Sequence, residues 1–427
     1  MKAVISNRIY LECTREYREV LTKELTYKIP PRTPNDPPLI IKNITRIRDN
    51  LVTLPIGRID LIPEDYEIVD KRITVPVDFP SFKFELRESQ KQVYDTIEDN
   101  AIINAWVSWG KTFTGLAIAG KLGQKTLIVV HTVPLRNQWA KEVEKVYGIK
   151  PGIIGSGEFN IEPSIVIGNT QSLSRNVSKI TKTFGTIILD EMHHVSSPTF
   201  SKIIDTSSAR YKIGLSGTIE RKDGKHVVFR DYFSNQVFKP PRENFMIPSI
   251  DIVKSQVRFL DGARIPWANR VTALGNNDEY RHLIAMLAAG YAAKGHKVLV
   301  VSDRVHFLRR CAELAGENAI CVTGEVSHEE REKCIEQILQ GKKSILFGTQ
   351  AIFSEGISVN NLSCLILGTP INNEPLLTQL IGRVIREQPN KIDPIIVDIH
   401  LKGETAKRQA SNRIGFYMKQ GWKIRQL

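Results

Sequence analysis

Cysteine is scarce in this sequence: five residues among 427, at Cys13, Cys311, Cys321, Cys334 and Cys364, with no Cys-x-x-Cys pair. An odd, scattered set argues against a disulfide framework or a zinc site, and for a reducing compartment. Long apolar runs are missing as well. The strongest, Leu127–Val130 and Val298–Val301, have the length of strands and fall far short of spanning a bilayer. The opening segment, Met1 to Tyr17, is broken by Lys2, Arg8, Glu12, Arg15 and Glu16, so it lacks a secretory apolar core. Neither a short-period repeat nor a low-complexity tract occurs. These absences predict a soluble, cytoplasmic protein without membrane association.

Acidic charge is in the minority, with 46 Asp and Glu against 59 Lys and Arg, a formal net charge of +13. Such an excess favours polyanionic partners, nucleic acid above all, although a solvated basic surface is its commonest form. The hydrophobic fraction of 41% and charged fraction of 25% are ordinary for a folded protein. A chain this long exceeds one core and predicts two or three domains.

Residues 1–80 differ from the rest. Pro30, Pro31, Pro34, Pro37 and Pro38 mark a loop, flanked by strand-like pieces at Leu39–Ile41, Leu51–Leu54 and Ile73–Val77. A small α+β accessory domain is expected there. Over residues 81–240, short apolar runs (Ala101–Ala105, Thr126–Val130, Ser164–Ile167, Thr186–Leu189, Lys212–Leu215) alternate with helical stretches. Such runs read as buried parallel strands, whose carboxyl ends carry ligand-binding loops. Residues 276–427 hold a second set: Lys297–Val301, Ala319–Val322, Ser344–Phe347, Cys364–Leu367 and Pro394–Val397. The fold class is α/β, two doubly wound parallel sheets in tandem, with residues 241–275 as a proline-punctuated linker.

Ala105-Trp106-Val107-Ser108-Trp109-Gly110-Lys111-Thr112 follows a strand and opens a predicted helix at Phe113. Backbone N–H groups at such a helix start face phosphate, Lys111 would reach the β/γ oxygens, and Thr112 would hold Mg²⁺. Ser108 and Trp109 stand where small residues are common. Gly-Lys-Thr recurs widely, and an ordinary strand–helix turn with a surface lysine reads the same way. Asp190 and Glu191 end a buried strand, where a carboxylate pair costs several kcal/mol unless it is paired or metal-bound. Asp190 is placed for Mg²⁺ and Glu191 for the attacking water. No Cys or His cluster completes a zinc site around His193 and His194. His194 reads as a packed or capping side chain and His193 as a link to neighbouring segments. Arg383 and Arg386, three residues apart, would share one helix face. An isolated pair is usually solvated, but an arginine finger is worth about 10³–10⁵ in phosphoryl-transfer rate. The order of strand, phosphate loop, Asp-Glu, second sheet and Arg pair favours the nucleotide reading.

With these residues in order, the chain resembles the superfamily 2 helicases and translocases of the DExH type over residues 82–400. Leu86-Arg87-Glu88-Ser89-Gln90 is similar to the segment before motif I, which implies an adenine contact for Gln90. Val129–Trp139 resembles motif Ia and Gly168–Leu173 motif Ib, which implies nucleic-acid backbone contacts. Gly214-Leu215-Ser216-Gly217-Thr218 resembles motif III, linking hydrolysis to movement through Ser216 and Thr218. Thr349 with Glu355-Gly356-Ile357-Ser358 is similar to motif V, and Gln379, Arg383 and Arg386 to motif VI. Gly217, Ser108 and Ser358 (many relatives carry Asp there) lean toward the UvsW-type branch-migration helicases of phage, with XPB-like helicases next.

The resemblance implies tandem RecA-like domains, ATP and Mg²⁺ as cofactors, and hydrolysis at the cleft between the domains. The nucleotide would be held by Gln90, Ser108, Trp109, Gly110, Lys111, Thr112, Gly356 and Gln379. It also implies a strand held without sequence reading, with Thr170, Gln171, Ser172 and Thr349 as candidates; each is equally a helix cap or turn residue. The expected partner is single-stranded, forked or branched DNA rather than RNA, and the expected working form is a monomer, in the host cytoplasm if the source is a phage. Basic residues at Arg8, Arg15, Arg18, Lys23, Lys28 and Arg32 suit a grip on branched DNA by the first domain; a folding cap or a protein-binding surface fits them as well. Rival readings are a duplex translocase or RNA helicase without fork preference, and a non-catalytic nucleic-acid scaffold with a degenerate loop. A metabolic kinase or ligase leaves the paired sheets, the Arg pair and the positive charge unexplained.

Overall fold

The computed structural model describes residues 1–31, 37–194, 198–217, 224–243, 245–262, 264–355 and 359–427. Its backbone divides into two compact units, Met1–Arg242 and Glu243–Leu427. Among the described residues no helix is long and apolar enough to cross a membrane.

The first unit begins with a five-stranded sheet in the order Thr45–Arg48, Leu51–Leu54, Ile9–Glu12, Lys2–Ile5, Glu67–Asp70. Helix Arg15–Glu24 starts at Thr14, whose hydroxyl accepts from the Tyr17 N–H at 3.2 Å and so satisfies one orphan donor. Its Leu21 packs with Ala3, Ile5, Leu11 and Val52 in a small core. Ile73–Val77, expected as a strand, makes only isolated bridges, Ile73 with Ala209 and Pro76 with Gln124. Pro76 has no N–H to give a ladder.

The larger sheet of this unit has eight strands, in the order Glu158–Phe159, Gly152–Gly155, Ile165–Asn169, Thr126–Val130, Thr186–Leu189, Tyr211–Ser216, Ala101–Asn104, Val237–Phe238. All pairings are parallel except the first. Alternation along Thr126–Val130 explains the unbroken apolar run: Ile128 and Val130 enter one core cluster, Leu127 and Val129 the other. Both faces are covered, as a doubly wound sheet requires. The amino-terminal residues are bonded to this sheet's helices. Asp231 is fully buried and accepts from Tyr27 Oη and Asn43 Nδ2, each at 2.8 Å. Arg8 meets Asp205 at 3.2 Å. Gly57 lies so close to Arg230 that a Cβ there would enter its carbonyl oxygen.

The second unit holds seven parallel strands, in the order Ala319–Val322, Ile345–Thr349, Val298–Ser302, Cys364–Leu367, Ile395–Lys402, Ser249–Arg258, Lys423–Gln426. Its two faces again divide one strand's side chains, Leu299 and Val301 against Val298 and Val300. Ser249–Arg258 lies inside the stretch read from the sequence as a linker, and here it is a ten-residue strand between two others. Two tandem RecA-like sheets preceded by a small α+β element are the architecture of the chain.

Candidate nucleotide and nucleic-acid sites

Strand Ala101–Asn104 delivers the chain to residues 105–110 at the carboxyl edge of the first parallel sheet. Ser108 (φ 72°) and Gly110 (φ 91°) are left-handed, and the Trp109 N–H between them closes a turn onto Trp106 O at 3.3 Å. Helix Lys111–Leu122 begins at Lys111, two residues before the expected Phe113, because Gly110 already caps it. Lys111 Nζ donates to Ala105 O at 3.1 Å, and a Cβ at Gly217 would lie 3.5 Å from that Nζ. The loop, Lys111 and Gly217 are therefore neighbours.

Trp109 is completely buried. Its indole N–H donates to Ser89 Oγ at 2.8 Å. Its carbonyl accepts from Gln90 Nε2 at 2.8 Å and from the Arg87 guanidinium. Gln90 Oε1 in turn accepts from the Arg87 N–H at 3.0 Å, closing the first turn of helix Glu88–Thr96. Trp106, also in the loop, carries the Arg242 guanidinium over its ring at 3.8 Å.

Asp190 and Glu191 follow strand Thr186–Leu189, next to the strand that leads into Ser216. Trp139, buried on helix Val133–Tyr147, donates its indole N–H to Asp190 Oδ2 at 2.7 Å. Burial, and then the neighbouring Glu191 charge, push the Asp190 carboxyl above its ordinary value. Glu191 goes the other way. Burial opposes its ionisation, but the His193 hydrogen bond and the Lys111 charge outweigh it. Two adjacent carboxylates thus sit in opposed electrostatic states. His193 Nδ1 is 3.2 Å from Glu191 Oε2 and 3.3 Å from Ser216 Oγ. His194 packs between rings, 4.3 Å from His193 and 4.4 Å from His131, and stacks on Phe200.

Thr170, Gln171 and Ser172 begin helix Thr170–Arg175 at the carboxyl end of strand Ile165–Asn169. Thr170 is buried, Gln171 exposed and Ser172 half-buried. A neighbour missed by sequence reasoning is Arg136, only 7% exposed, whose guanidinium donates to Ser156 Oγ at 3.2 Å. Among the described residues Arg136 Nε and Asn169 Oδ1 are buried without a hydrogen-bond partner. A Cβ at Gly155 would fall 2.7 Å from Arg136 and 3.2 Å from Ser172 Oγ. The signal was present, since Arg136 lies within Val129–Trp139, but nothing in the sequence marked it as inward-facing.

In the second unit Thr349 ends strand Ile345–Thr349. Gln379 and Arg383 lie on helix Glu374–Val384, where Arg383 Nε donates to Phe353 O at 2.8 Å. The expectation that Arg383 and Arg386 share a helix face is corrected. The helix stops at Val384, and Arg386 instead forms a backbone bridge with Phe245 while donating to Asn360 Oδ1 at 3.0 Å. Pairing with residue 245 draws the chain out of helical geometry two residues early. Thr218, Gly356 and Ser358 lie outside the described residues.

Residues 83–221 match the family described as "Type III restriction enzyme, res subunit", and residues 278–388 the "Helicase conserved C-terminal domain". "Probable helicase D10" of Escherichia phage T5 is 43% identical over 430 residues, spanning 99% of this chain and 95% of its own length. "ATP-dependent DNA helicase uvsW" of Enterobacteria phage T4 is 24% identical over 304 residues, 64% of this chain and 59% of that protein. Among solved structures, S. cerevisiae Dbp5 bound to RNA and ADP BeF3 aligns with a TM-score of 0.59 at 10% identity, over 80% of this chain and 89% of that one. The chain belongs to the superfamily 2 helicases. Within them it is related to UvsW, and it is an ATP-dependent nucleic-acid helicase.

Proposed function

We propose that this helicase acts on DNA, unwinding or branch-migrating forked and branched molecules. The observation that carries the motor reading is the linked row Lys111, Asp190, Glu191, His193 and Ser216 in the first unit, where Glu191 and Ser216 share one imidazole nitrogen. The UvsW relative is named a DNA helicase, which supports DNA over RNA, while the net charge of +13 suits either polyanion.

The donor set suits a nucleoside triphosphate and its Mg²⁺. Loop N–H groups and Lys111 offer what polyphosphate accepts, and Thr112 with Asp190 offers the hard oxygen ligands that Mg²⁺ takes. Bound Mg²⁺ would neutralise charge developing on the transferred phosphoryl group. Glu191, held ionised by His193, orients and deprotonates the attacking water. Trp139 fixes the Asp190 carboxylate. His193 connects the state of Glu191 to Ser216 and so to the segment that follows it. Arg383 and Arg386 supply positive charge to the departing phosphate, and Gln379 and Gly356 are proposed as nucleotide contacts. Gln171, Ser172, Arg136 and Thr349 hold the nucleic-acid backbone, with Thr170 supporting the turn from within.

Residues 1–80 are proposed to grip the duplex or junction; the edge strand Thr45–Arg48 is exposed throughout and carries Arg46 and Arg48. A second reading, translocation on duplex DNA without strand separation, draws on the restriction-enzyme match over residues 83–221. ATP hydrolysis and strand displacement, measured with single-stranded, forked and four-way-junction DNA and with RNA duplexes, decide among these. Turnover and displacement greatest on branched DNA support the proposal. Turnover on duplex DNA without displacement favours the translocase, and stimulation by RNA alone overturns the DNA assignment.

A further inference from the structure

The middle of a phosphate loop is an unusual place for tryptophan, because backbone N–H groups there must approach the phosphates closely. Trp109 avoids obstruction by turning wholly inward, onto the first turn of helix Glu88–Thr96. It is tied there twice. The indole N–H is bonded to Ser89 Oγ at 2.8 Å, and the carbonyl to Gln90 Nε2 at 2.8 Å as well as to Arg87. The next residue, Gly110, has φ +91°, and a Cβ there would lie 2.7 Å from Gln90 Nε2. Lys111 follows at once as the first residue of its helix. No slack separates the Ser89–Gln90 anchor from the lysine.

A glutamine amide has two N–H donors and two acceptor lone pairs. Gln90 spends one donor on Trp109 O and one lone pair on the Arg87 N–H at 3.0 Å. One donor and one lone pair remain in its inventory, the pair that a Gln amide uses to read the N6/N7 edge of adenine. The same amide that can hold the base thus already holds the loop's main chain.

We propose that Trp109 is a positioning residue through which base identity reaches the phosphate loop. With adenine on Gln90, the Trp109 carbonyl and the loop beyond it are fixed in register for Lys111. A base that Gln90 cannot hold leaves that register looser. The indole–Ser89 bond keeps the loop from relaxing independently of the helix that carries Gln90. This inference rests on the reading of Gln90 as the adenine contact.

The test compares Ser89→Ala, Trp109→Phe and the double variant with the parent, in nucleic-acid-stimulated hydrolysis of ATP and of GTP. Ser89→Ala deletes the indole's acceptor with the least disturbance of packing, and Trp109→Phe keeps a ring in the buried site. In each variant kcat/KM for ATP should fall about five- to tenfold, the loss expected for one buried hydrogen bond, mainly through KM. The GTP value should change less than twofold, and the double variant should be no worse than the worse single one. A purely structural tryptophan would lower both nucleotides together; equal losses, or none, overturn the inference while leaving Gln90 in place. A parent that hydrolyses ATP and GTP alike overturns the Gln90 reading, and this inference with it.

Discussion

Trp139 donates its indole N–H to Asp190 Oδ2 at 2.7 Å, with both side chains buried. The bond counters the burial that drives the Asp190 carboxyl toward its neutral form, and together with the Glu191 N–H on Oδ1 at 2.9 Å it fixes the orientation of the carboxylate. Removing an outer-shell partner of this kind typically costs 10–100-fold in activity or metal affinity. Trp139→Phe is therefore expected to lower ATP turnover about tenfold and to raise the Mg²⁺ concentration needed for half-maximal rate. An unchanged Mg²⁺ titration would remove Trp139 from the site.

Lys111→Ala should abolish ATP turnover while leaving nucleic-acid binding within about twofold, since Lys111 makes its bond to Ala105 O in a loop already held by Trp109. Filter binding alongside an ATPase assay separates the two effects. Turnover near that of the parent would sink the phosphate-loop assignment.

Arg386→Ala should depress turnover by about 10³-fold, the lower end for an arginine acting on a departing phosphate, with nucleotide affinity nearly intact. Arg386 also bonds Asn360 at 3.0 Å, so Arg386→Lys, which keeps a charge but not the planar fork, is the companion variant. Equilibrium titration with a fluorescent ATP analogue checks both. Collapse of binding in either would contradict a transition-state role.

Lys212 is fully buried on strand Tyr211–Ser216 and donates to Ile204 O at 2.9 Å. Burial, opposed by the Asp205 charge, pushes its ammonium down to about 7. In the unfolded chain the value is about 10.4, so between these limits the unfolded state binds the extra proton and stability rises with pH. The cost of burying the charge is full below pH 7 and is relieved above it. Melting curves of the parent and Lys212→Met at pH 6, 7.5 and 9 should show the parent gaining on the variant as pH rises. A constant difference would contradict the shift.

Gly57→Ala should lower the melting temperature of the first unit by roughly 2–10 °C, from about 1–3 kcal/mol of overpacking. The added Cβ would meet the carbonyl of Arg230, and backbone cannot move aside as a flexible side chain can. Limited proteolysis should then cut more readily between the amino-terminal sheet and residues 72–82. Resistance equal to the parent's would show that the close approach tolerates the methyl group.

The sequence by itself determined the two parallel sheets, because strands buried on both faces must be continuously apolar. Thr126–Val130, Thr186–Leu189, Val298–Ser302 and Cys364–Leu367 lie where such runs occur. It also determined the order of the chemical residues, since Gly110-Lys111-Thr112 and Asp190-Glu191 are local in the chain. Only the tertiary structure decided features whose partners are distant. Ser249–Arg258 does not read as a strand because Asp251, Lys254 and Gln256 interrupt it, yet Asp251 is buried against Tyr291 Oη and Arg425 Nε, each at 2.6 Å. Trp109 looks like an obstruction until Ser89 and Gln90 are placed beside it. Arg386 leaves its helix because Phe245 pairs with it. In each case a polar or bulky group is accommodated by a partner far along the chain, and no local propensity encodes where that partner will be.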